Sequence, residues 1–318
     1  MRPYESGTYG LGLCTISCVR SAPPGSKYAV EMRSSGGAKW RPVSWLRNRI
    51  ALEAGQADER MNLDSESALQ SAQATLDWSI RHRGPESTMT VNAKGEVAER
   101  LERLGRYEEA VRLRTDVAAH VELHYGADDL RTLTAEGFQA FDLDRLGRHQ
   151  EALPLFEHIL IGRTHALGPD NELTLLAMDW LACSLRNLGN LPESRRLFQD
   201  ALDRYEQGGA GETEDCMKTT AHLATTLIQL GQVTEACELR RRILDVRNRT
   251  LGPDDLTTLS SLENLANTLQ WIDEVNEAKV VYEDLLTKRI RLLGTDHPDT
   301  QRAREMLSAI DQGLETDP

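Results

Sequence analysis

The chain has few aromatic residues, few cysteines and no long apolar run. Aromatic side chains make up only 5% of its 318 residues, which suits helices packed through leucine and alanine better than a β-sandwich or β-barrel. The five cysteines form no Cys-x-x-Cys pair and are odd in number, so neither a disulfide framework nor a zinc ribbon is indicated. Reduced thiols in a cytoplasm fit this pattern best. The apolar stretch at residues 9–19 is far shorter than the ~20 residues that a membrane-spanning helix needs.

Acidic residues outnumber basic ones along most of the chain. The formal net charge is −13, although residues 1–60 carry nine basic and five acidic side chains. An acidic surface repels nucleic-acid phosphate and anionic membranes, and it favours a neutral to basic protein or peptide as partner. The alternative is that the acidic charge only keeps a long surface soluble.

Residues 1–39 are predicted to form a disordered N-terminal segment. Serine, glycine and proline cluster at 21–26 and 34–37, where they disfavour regular structure. Glu5 and the glycines that interrupt the apolar stretch argue against an export signal. Met32 is an alternative start of the chain.

A seven-residue phrase recurs five times at a spacing of 42 residues. The copies lie at 104–110, 146–152, 188–194, 230–236 and 272–278. A second phrase keeps the same register and begins at Gly84, Gly126, Gly168, Gly252 and Gly294. A fixed period of this length predicts stacked supersecondary units, none of which can bury its apolar face alone.

Each unit is predicted to be a hairpin of two helices of roughly 15–18 residues. In the unit 254–294, apolar residues recur every three or four positions, first from Leu259 to Ile272 and then from Val281 to Ile290. Glycine occupies the turn between the helices in four of the five copies, where it closes a helix in the left-handed conformation. In the linking phrase, proline suits a first helical turn and aspartate can cap exposed amides.

Positions that hold the same type of residue in every repeat are predicted to form the packed core. Alanine at one position of the first helix marks a close approach of two helices, beside a leucine that fills the adjoining space. The alanines are Ala98, Ala140, Ala182, Ala224 and Ala266, and the leucines are Leu101, Leu143, Leu185, Leu227 and Leu269. On the second helix, small residues lie at 110, 152, 194, 236 and 278.

The array is predicted to be irregular at both ends. Residues 40–83 align with a degenerate first hairpin, in which Gln56 and Glu59 replace the alanine and the leucine. Regular repeats span 84–294. A capping helix follows in 295–314, where Ser308 and Asp311 at the same two positions provide the polar outer face that an array end requires.

The unit resembles the tetratricopeptide repeat, in the 42-residue variety typified by the kinesin light chain. The similarity rests on the phrases at 251–254, 264–266, 105–110 and 297–300, which read Leu-Gly-Pro-Asp, Asn-Leu-Ala, Gly-Arg-Tyr-Glu-Glu-Ala and His-Pro-Asp-Thr. It implies an all-α fold, a right-handed α-solenoid of about five to six hairpins with a polar C-terminal capping helix. HEAT and armadillo repeats overlap in length but lack the Gly-x-x-x-Glu-Ala turn.

The resemblance also implies a concave groove, lined by the first helices, that binds a peptide or a partner domain. Three columns of residues at the 42-residue step are predicted to line this groove. The first column is Glu96, Phe138, Trp180, His222 and Asn264; the second is Arg100, Asp142, Ser184, Thr226 and Thr268; the third is Arg103, Arg145, Asn187, Gln229 and Trp271. Only Asn264 keeps the asparagine that the family has in the first column. Exposed aromatic residues of this groove would anchor a partner; the alternative is that Phe138 and Trp180 pack on neighbouring hairpins.

No metal site, cofactor or catalytic residue is predicted. His120 and His124 are one helical turn apart, but the sequence identifies no third ligand for a shared metal ion. Cys183 beside Ala182 is either a reactive thiol near the groove or a small buried residue. The chain has no nucleophile-elbow, kinase or dinucleotide-binding phrase and no phosphate-binding loop. The nucleotide switch that precedes such repeats in some bacterial proteins would therefore be a separate chain.

The predicted function is a cytoplasmic, non-catalytic scaffold or adaptor that recruits a protein or peptide through the groove. The alternative is a regulatory sensor, whose array binds a signal peptide or small ligand and controls a partner protein. An enzyme with an active site in the groove is a distant third. Nucleic acid and membrane are not expected partners, and self-association is left open.

Overall fold

The computed structural model describes residues 65–272 and 274–312. The chain divides into two units, Met1–Trp45 and Leu46–Pro318, and all of the described residues belong to the second. The predictions for residues 1–64, including the N-terminal segment and the first helix of the degenerate hairpin, lie outside the described residues. The last residues of the predicted capping helix, 313 and 314, do so too.

The described residues form twelve α-helices and no β-strand. Helix α1 covers 65–83. The first helices of the hairpins are α2 (Thr88–Arg103), α4 (Leu130–Arg145), α6 (Glu172–Asn187), α8 (Glu214–Gln229) and α10 (Leu256–Gln270). The second helices are α3 (Tyr107–Tyr125), α5 (His149–Leu167), α7 (Leu191–Gln207), α9 (Val233–Thr250) and α11 (Val275–Leu293), and α12 (Pro298–Asp311) follows the last hairpin. Two helices per 42 residues confirm the predicted hairpin.

Consecutive helices pack against each other from α2 to α12, so the hairpins stack in the order of the sequence. A large apolar core extends along the stack from Val111 in α3 to Val246 in α9. Smaller clusters continue it toward both ends of the described part. This nearest-neighbour packing of helical hairpins is an α-solenoid, as the period predicted.

The invariant small residues lie at the closest contacts of the stack. All five alanines of the first helices have no exposed surface, and the five leucines beside them are at most 8% exposed. The small residues of the second helices are equally buried. At the third repeat this residue is Ser194, whose Oγ donates a hydrogen bond of 2.8 Å to the carbonyl oxygen of Ala182. The packing columns predicted from the sequence are therefore confirmed.

Glycine closes each of the described turns between the two helices of a hairpin. Gly105, Gly147, Gly189 and Gly231 have φ between 73° and 81°, a conformation that is costly for residues with a Cβ atom. The predicted left-handed turn is confirmed at these four positions. The fifth copy has Asp273, which lies outside the described residues.

The linking phrase separates the hairpins, but its aspartate is not the helix cap. The N-cap is the following residue, and the side chains of Asp129, Asn171 and Asp255 each accept a hydrogen bond from the amide two residues further on. Pro169 and Pro253 lie in the turn before the helix rather than in its first turn. The prediction placed the helix start too early, because the positive φ of the linking glycine (91° at Gly168) begins a turn that lasts several residues.

A buried threonine ties the linking phrase to the next hairpin. The hydroxyl groups of Thr90, Thr132 and Thr174 each donate a hydrogen bond of 2.7–2.8 Å to the carbonyl oxygen of the glycine six residues earlier. These threonines are at most 1% exposed. This contact was not among the predictions, although the recurrence of threonine in the same column at 258 and 300 is a signal for it.

Gly162 in α5 lies against the side chain of Leu133 in α4. A Cβ atom at this position would lie 2.6 Å from Cδ1 of Leu133 in α4, and Leu133 has no exposed surface. We expect Gly162→Ala to lower the free energy of unfolding by about 1–3 kcal/mol, because the clash outweighs the better helix propensity of alanine. Urea unfolding followed by circular dichroism measures this loss.

Gly95 in α2 provides the matched control, since it is also inside a helix but a Cβ atom there meets nothing within 4 Å. Gly95→Ala should raise the free energy of unfolding by about 0.5–1 kcal/mol. In a Leu133→Ala background, Gly162→Ala should no longer destabilise. A loss that persists in that background would show that Leu133 is not the cause.

Candidate partner-binding face

The first column of predicted groove residues is exposed at its two ends and half-buried between them. Glu96 and Asn264 are exposed, whereas Phe138, Trp180 and His222 are half-buried. The side of the first helices that carries the first and third columns is called here the first-helix face.

The two aromatic residues of this column pack on neighbouring hairpins and keep part of their surface accessible. The guanidinium group of Arg114 lies 4.6 Å from the centre of the Phe138 ring. The Trp180 ring meets Phe141 edge-on, with 4.7 Å between ring centres, and lies 6.3 Å from Phe156. Since Phe156 is only 2% exposed, Trp180 also contributes to the core.

The second column is largely buried, and the prediction that it lines the groove is wrong for four of its five residues. Arg100 is half-buried. The residues with at most 1% exposure are Asp142, Ser184, Thr226 and Thr268.

The second column is buried because it faces the second helix of the preceding hairpin. Nε of Arg114 in α3 donates to Asp142 in α4 at 2.6 Å, and Nη1 of Arg240 in α9 donates to Thr268 in α10 at 2.5 Å. Both pairs are 28 residues apart in sequence, so the same contact recurs along the stack. Asp142 and Thr268 therefore hold neighbouring hairpins together, and the four buried residues of the column are not available to a partner.

Asp142 belongs to a buried ion-pair network. Arg114 bridges two carboxylates, since its Nε meets Asp142 and its Nη2 meets Glu102 at 2.5 Å. Burial raises the pKa of Asp142 to about 6, although the charge of Arg114 acts in the opposite direction. The folded protein therefore holds a proton on Asp142 more tightly than the unfolded chain does.

This raised pKa gives the stability a pH dependence of known sign. The proton on Asp142 makes its full contribution to the free energy of unfolding below about pH 4, where aspartate ordinarily titrates. This contribution is lost as the pH rises through about 6. Relative to Asp142→Asn, the wild type should lose on the order of 1–3 kcal/mol of unfolding free energy between pH 4.5 and 7. Urea unfolding at several pH values measures the difference, and a constant difference would contradict the assigned pKa.

The third column is accessible along its whole length. All five residues, Arg103, Arg145, Asn187, Gln229 and Trp271, are exposed. Trp271 stands out because 51% of this large apolar residue is exposed at the end of α10. Together with Glu96 and Asn264, this column forms the most accessible part of the first-helix face.

From α4 to α10, neighbouring first helices lie beside each other at an equivalent place, which we call the notch. Three positions form each notch. Two of them lie four residues apart on one first helix, and the third is the first-column residue of the next first helix. Between α4 and α6 they are Gly137, Phe141 and Trp180; between α6 and α8 they are Asp179, Cys183 and His222; between α8 and α10 they are Ala221, Thr225 and Asn264.

The notch between α4 and α6 is filled by aromatic rings. A Cβ atom on Gly137 would lie 3.6 Å from the Trp180 ring, so the glycine leaves room for the indole. The Arg163 guanidinium lies 4.9 Å from the centre of the same ring. Phe141, 37% exposed, extends the aromatic surface outward. Phe141 was not among the predicted groove residues, because its column has no recurring apolar or aromatic residue in the other repeats.

The notch between α6 and α8 holds a polar cluster. Nδ1 of His222 lies 3.0 and 3.2 Å from the carboxylate oxygens of Asp179 and 3.5 Å from Sγ of Cys183. Burial by itself would lower the pKa of His222, but its hydrogen bonds with Asp179 and Cys183 and their charges raise it to about 10. In the described part of the chain, α6 and α8 make the most extensive direct contact of any two non-consecutive helices.

The notch between α8 and α10 opens into a cleft of about 70 Å³. The residues that line the cleft are Ala221, Thr225, Arg240, Ile243, Arg247, Ser261 and Asn264. Arg247 is only 8% exposed, and its Nε atom has no hydrogen-bond partner. The volume suits a few waters or one small polar group such as a carboxylate.

The pair His120 and His124 does not gain a third ligand from the fold. The two rings stack with 4.0 Å between their centres, and Nδ1 of His124 meets the carbonyl oxygen of His120 at 2.8 Å. Across 65–272 and 274–312, the group of three potential metal ligands that lie within reach of one ion is Asp179, Cys183 and His222.

Within the same two ranges, no helix combines the length and the hydropathy needed to cross a bilayer. None of the curated proteins matches the chain in sequence.

Comparison with solved structures finds the same fold. Nearly identical TPR-like repeats of a candidate kinesin light chain from Podosopora anserina match with a TM-score of 0.57 at 22% identity, covering 64% of this chain and 96% of that one. BtubC (BKLC) from P. vanneervenii matches at 0.56 and 16% identity, covering 80% and 94%. The apo form of RapI matches at 0.53 and 10% identity, covering 80% and 93%. At these identities the similarity concerns the fold.

Sequence comparison with protein families identifies the repeat. Two family profiles described as tetratricopeptide repeat match this chain, one at residues 131–207 and the other at 217–256 and 258–299. Together these ranges cover half of the chain. The chain therefore belongs to the tetratricopeptide repeat family.

Proposed function

We propose that this array is a non-catalytic adaptor that binds a protein or peptide on its first-helix face. The observation that carries the proposal is a division of roles along each first helix. Four of the five second-column residues are buried, two of them in contacts between hairpins, whereas the third column and both ends of the first column remain exposed. Side chains that do not stabilise the stack are free to bind a partner.

The C-terminal half of this face has the features of a binding site. Trp271 offers an exposed aromatic side chain of the type that anchors interfaces. Asn264 lines the cleft beside Arg240 and Arg247, so a partner on this face also meets a polar recess. The acidic charge of the chain favours a neutral to basic partner.

The polar cluster at the α6–α8 notch does not support a nucleophilic enzyme. A catalytic triad uses one imidazole nitrogen for the nucleophile and the other for the carboxylate. Here Cys183 and Asp179 both meet the same nitrogen, Nδ1 of His222. The cluster therefore lacks the arrangement of a triad, in which the imidazole takes a proton from the thiol on one nitrogen while the other nitrogen bonds to the carboxylate.

We place the protein in the cytoplasm. The described cysteines, Cys183, Cys216 and Cys237, are free thiols, as is typical of a reducing compartment.

Selection from a displayed library of random peptides, followed by calorimetric titration of the selected peptides, tests the proposal. Trp271→Ala should weaken binding by about 2 kcal/mol, or roughly 30-fold, as loss of an aromatic anchor does. Asn264→Ala should weaken it as well. Neither change should lower the thermal stability much, because both side chains are exposed.

Ile161 on α5 provides the control, since it is a 69% exposed apolar residue on a second helix. Ile161→Ala should leave peptide affinity unchanged. Affinity that is lost in Ile161→Ala and retained in Trp271→Ala would move the working surface to the second helices. Failure to enrich any peptide above the background of the empty support would reject peptide binding.

A further inference from the structure

Three potential metal ligands converge on one point between α6 and α8. Asp179 and Cys183 are four residues apart on α6, which places them on the same side of that helix. His222 on α8 faces them. One ligand atom from each residue lies within 4.8 Å of the other two. Residues of two adjacent hairpins therefore contribute to a single cluster.

Two separations within the cluster, from His222 to Cys183 and from His222 to Asp179, are close to the edges of a tetrahedral zinc site. Zinc bonds of about 2.3 Å to sulfur and about 2.0–2.1 Å to nitrogen or oxygen place sulfur about 3.5 Å from nitrogen, and nitrogen about 3.3 Å from oxygen. The observed separations are 3.5 Å between Sγ of Cys183 and Nδ1 of His222, and 3.0 and 3.2 Å between this nitrogen and the Asp179 oxygens. An ion fits with small adjustments of the side chains.

The chemistry of the three ligands also suits zinc. Thiolate, imidazole and carboxylate are the side chains that bind this ion, and three protein ligands leave a fourth position for water or another ligand. A hard ion such as Mg²⁺ or Ca²⁺ would instead prefer oxygen ligands alone. Asp179 is 7% exposed, and a buried anion is costly unless a cation or hydrogen bonds compensate for it.

Hydrogen bonding alone accounts less well for this arrangement. Nδ1 of His222 carries at most one proton, yet both Asp179 and Cys183 approach this one atom. A single N–H group shared between two acceptors makes weaker bonds with each. One ion at the centre would contact all three side chains at once.

The other two notches contain no comparable ligand set. The residues equivalent to Asp179, Cys183 and His222 are Gly137, Phe141 and Trp180 in one and Ala221, Thr225 and Asn264 in the other. Neither set offers a thiolate, imidazole or carboxylate, so the repeat does not impose the cluster. Its three ligands occur together once among these notches, which predicts one ion per chain.

We propose that Asp179, Cys183 and His222 bind one zinc ion between α6 and α8, with the fourth coordination position open. The ion links the first helices of two adjacent hairpins. It therefore stiffens the array at the place where α6 and α8 already touch.

Cobalt titration of the full chain, freed of metal by a chelator, tests the proposal. Co²⁺ should bind at one equivalent and produce the visible bands of a tetrahedral site together with a thiolate-to-cobalt charge-transfer band, and Zn²⁺ should displace it. Cys183→Ser should abolish the charge-transfer band. Asp179→Asn and His222→Gln should each weaken Zn²⁺ binding by roughly 100-fold or more, since even outer-shell changes cost 10–100-fold.

Two cysteine controls separate this site from the other thiols. Cys216 has no exposed surface, so Cys216→Ser should leave the cobalt spectrum unchanged. The double variant Cys14→Ser, Cys18→Ser should do the same. Zn²⁺ should raise the melting temperature of the wild type but not that of Cys183→Ser, because only a folded site binds the ion.

Three results would overturn the proposal. The first is a wild-type chain that binds neither Co²⁺ nor Zn²⁺, even when the ion is present in excess. The second is a charge-transfer band that survives in Cys183→Ser, and the third is binding that disappears with His124→Gln while the three-ligand variants retain it. Circular dichroism of each metal-free variant checks that it is folded, and Cys183→Ala replaces Cys183→Ser if that variant is not. Peptide binding at Trp271 is measured separately, so either proposal can fail without the other.

Discussion

The close approach of consecutive helices is the constraint on which this structure depends. A single hairpin cannot bury its apolar face, and it becomes stable only when the next hairpin covers it. Alanine at five equivalent positions, none with any exposed surface, allows the helices to come together. At Gly162 the approach is so tight that even a methyl group would meet Leu133. Turns, linkers and buried threonines all serve to place one hairpin against the next.

This stacking divides each first helix into parts with different roles. Positions such as Asp142 and Thr268 bond to the second helix of the preceding hairpin and are buried. The first and third columns, on either side of these positions, take part in packing to different degrees. The third column is exposed throughout, whereas the middle of the first column contributes to the core through Trp180. A partner would therefore contact exposed residues of the third column, whereas other, buried residues hold the hairpins together.

The repeat keeps the three backbone positions of the notch the same, while the side chains at these positions differ between repeats. The same three positions hold aromatic rings between α4 and α6, a thiol, carboxylate and imidazole between α6 and α8, and an arginine-lined cleft between α8 and α10. Two neighbouring notches thus differ in chemistry. One brings together a carboxylate, a thiol and an imidazole, and the next is lined by Arg240 and Arg247. The repeat determines where these sites lie, and the individual residues determine what they bind.

The hairpin, its glycine turns and its alanine and leucine contacts follow from the amino-acid sequence alone, because these features depend on residues a few positions apart and recur every 42 residues. Which side of each first helix is covered follows only from the packing of the hairpins. Asp142 and Thr268 of the second column are polar, yet both are buried, because Arg114 and Arg240 of the preceding hairpins bond to them. The metal-ligand cluster was hidden for the same reason. His120 and His124 attract notice because they are adjacent on one helix, whereas Asp179 and His222 are 43 residues apart and meet only when α6 and α8 pack together.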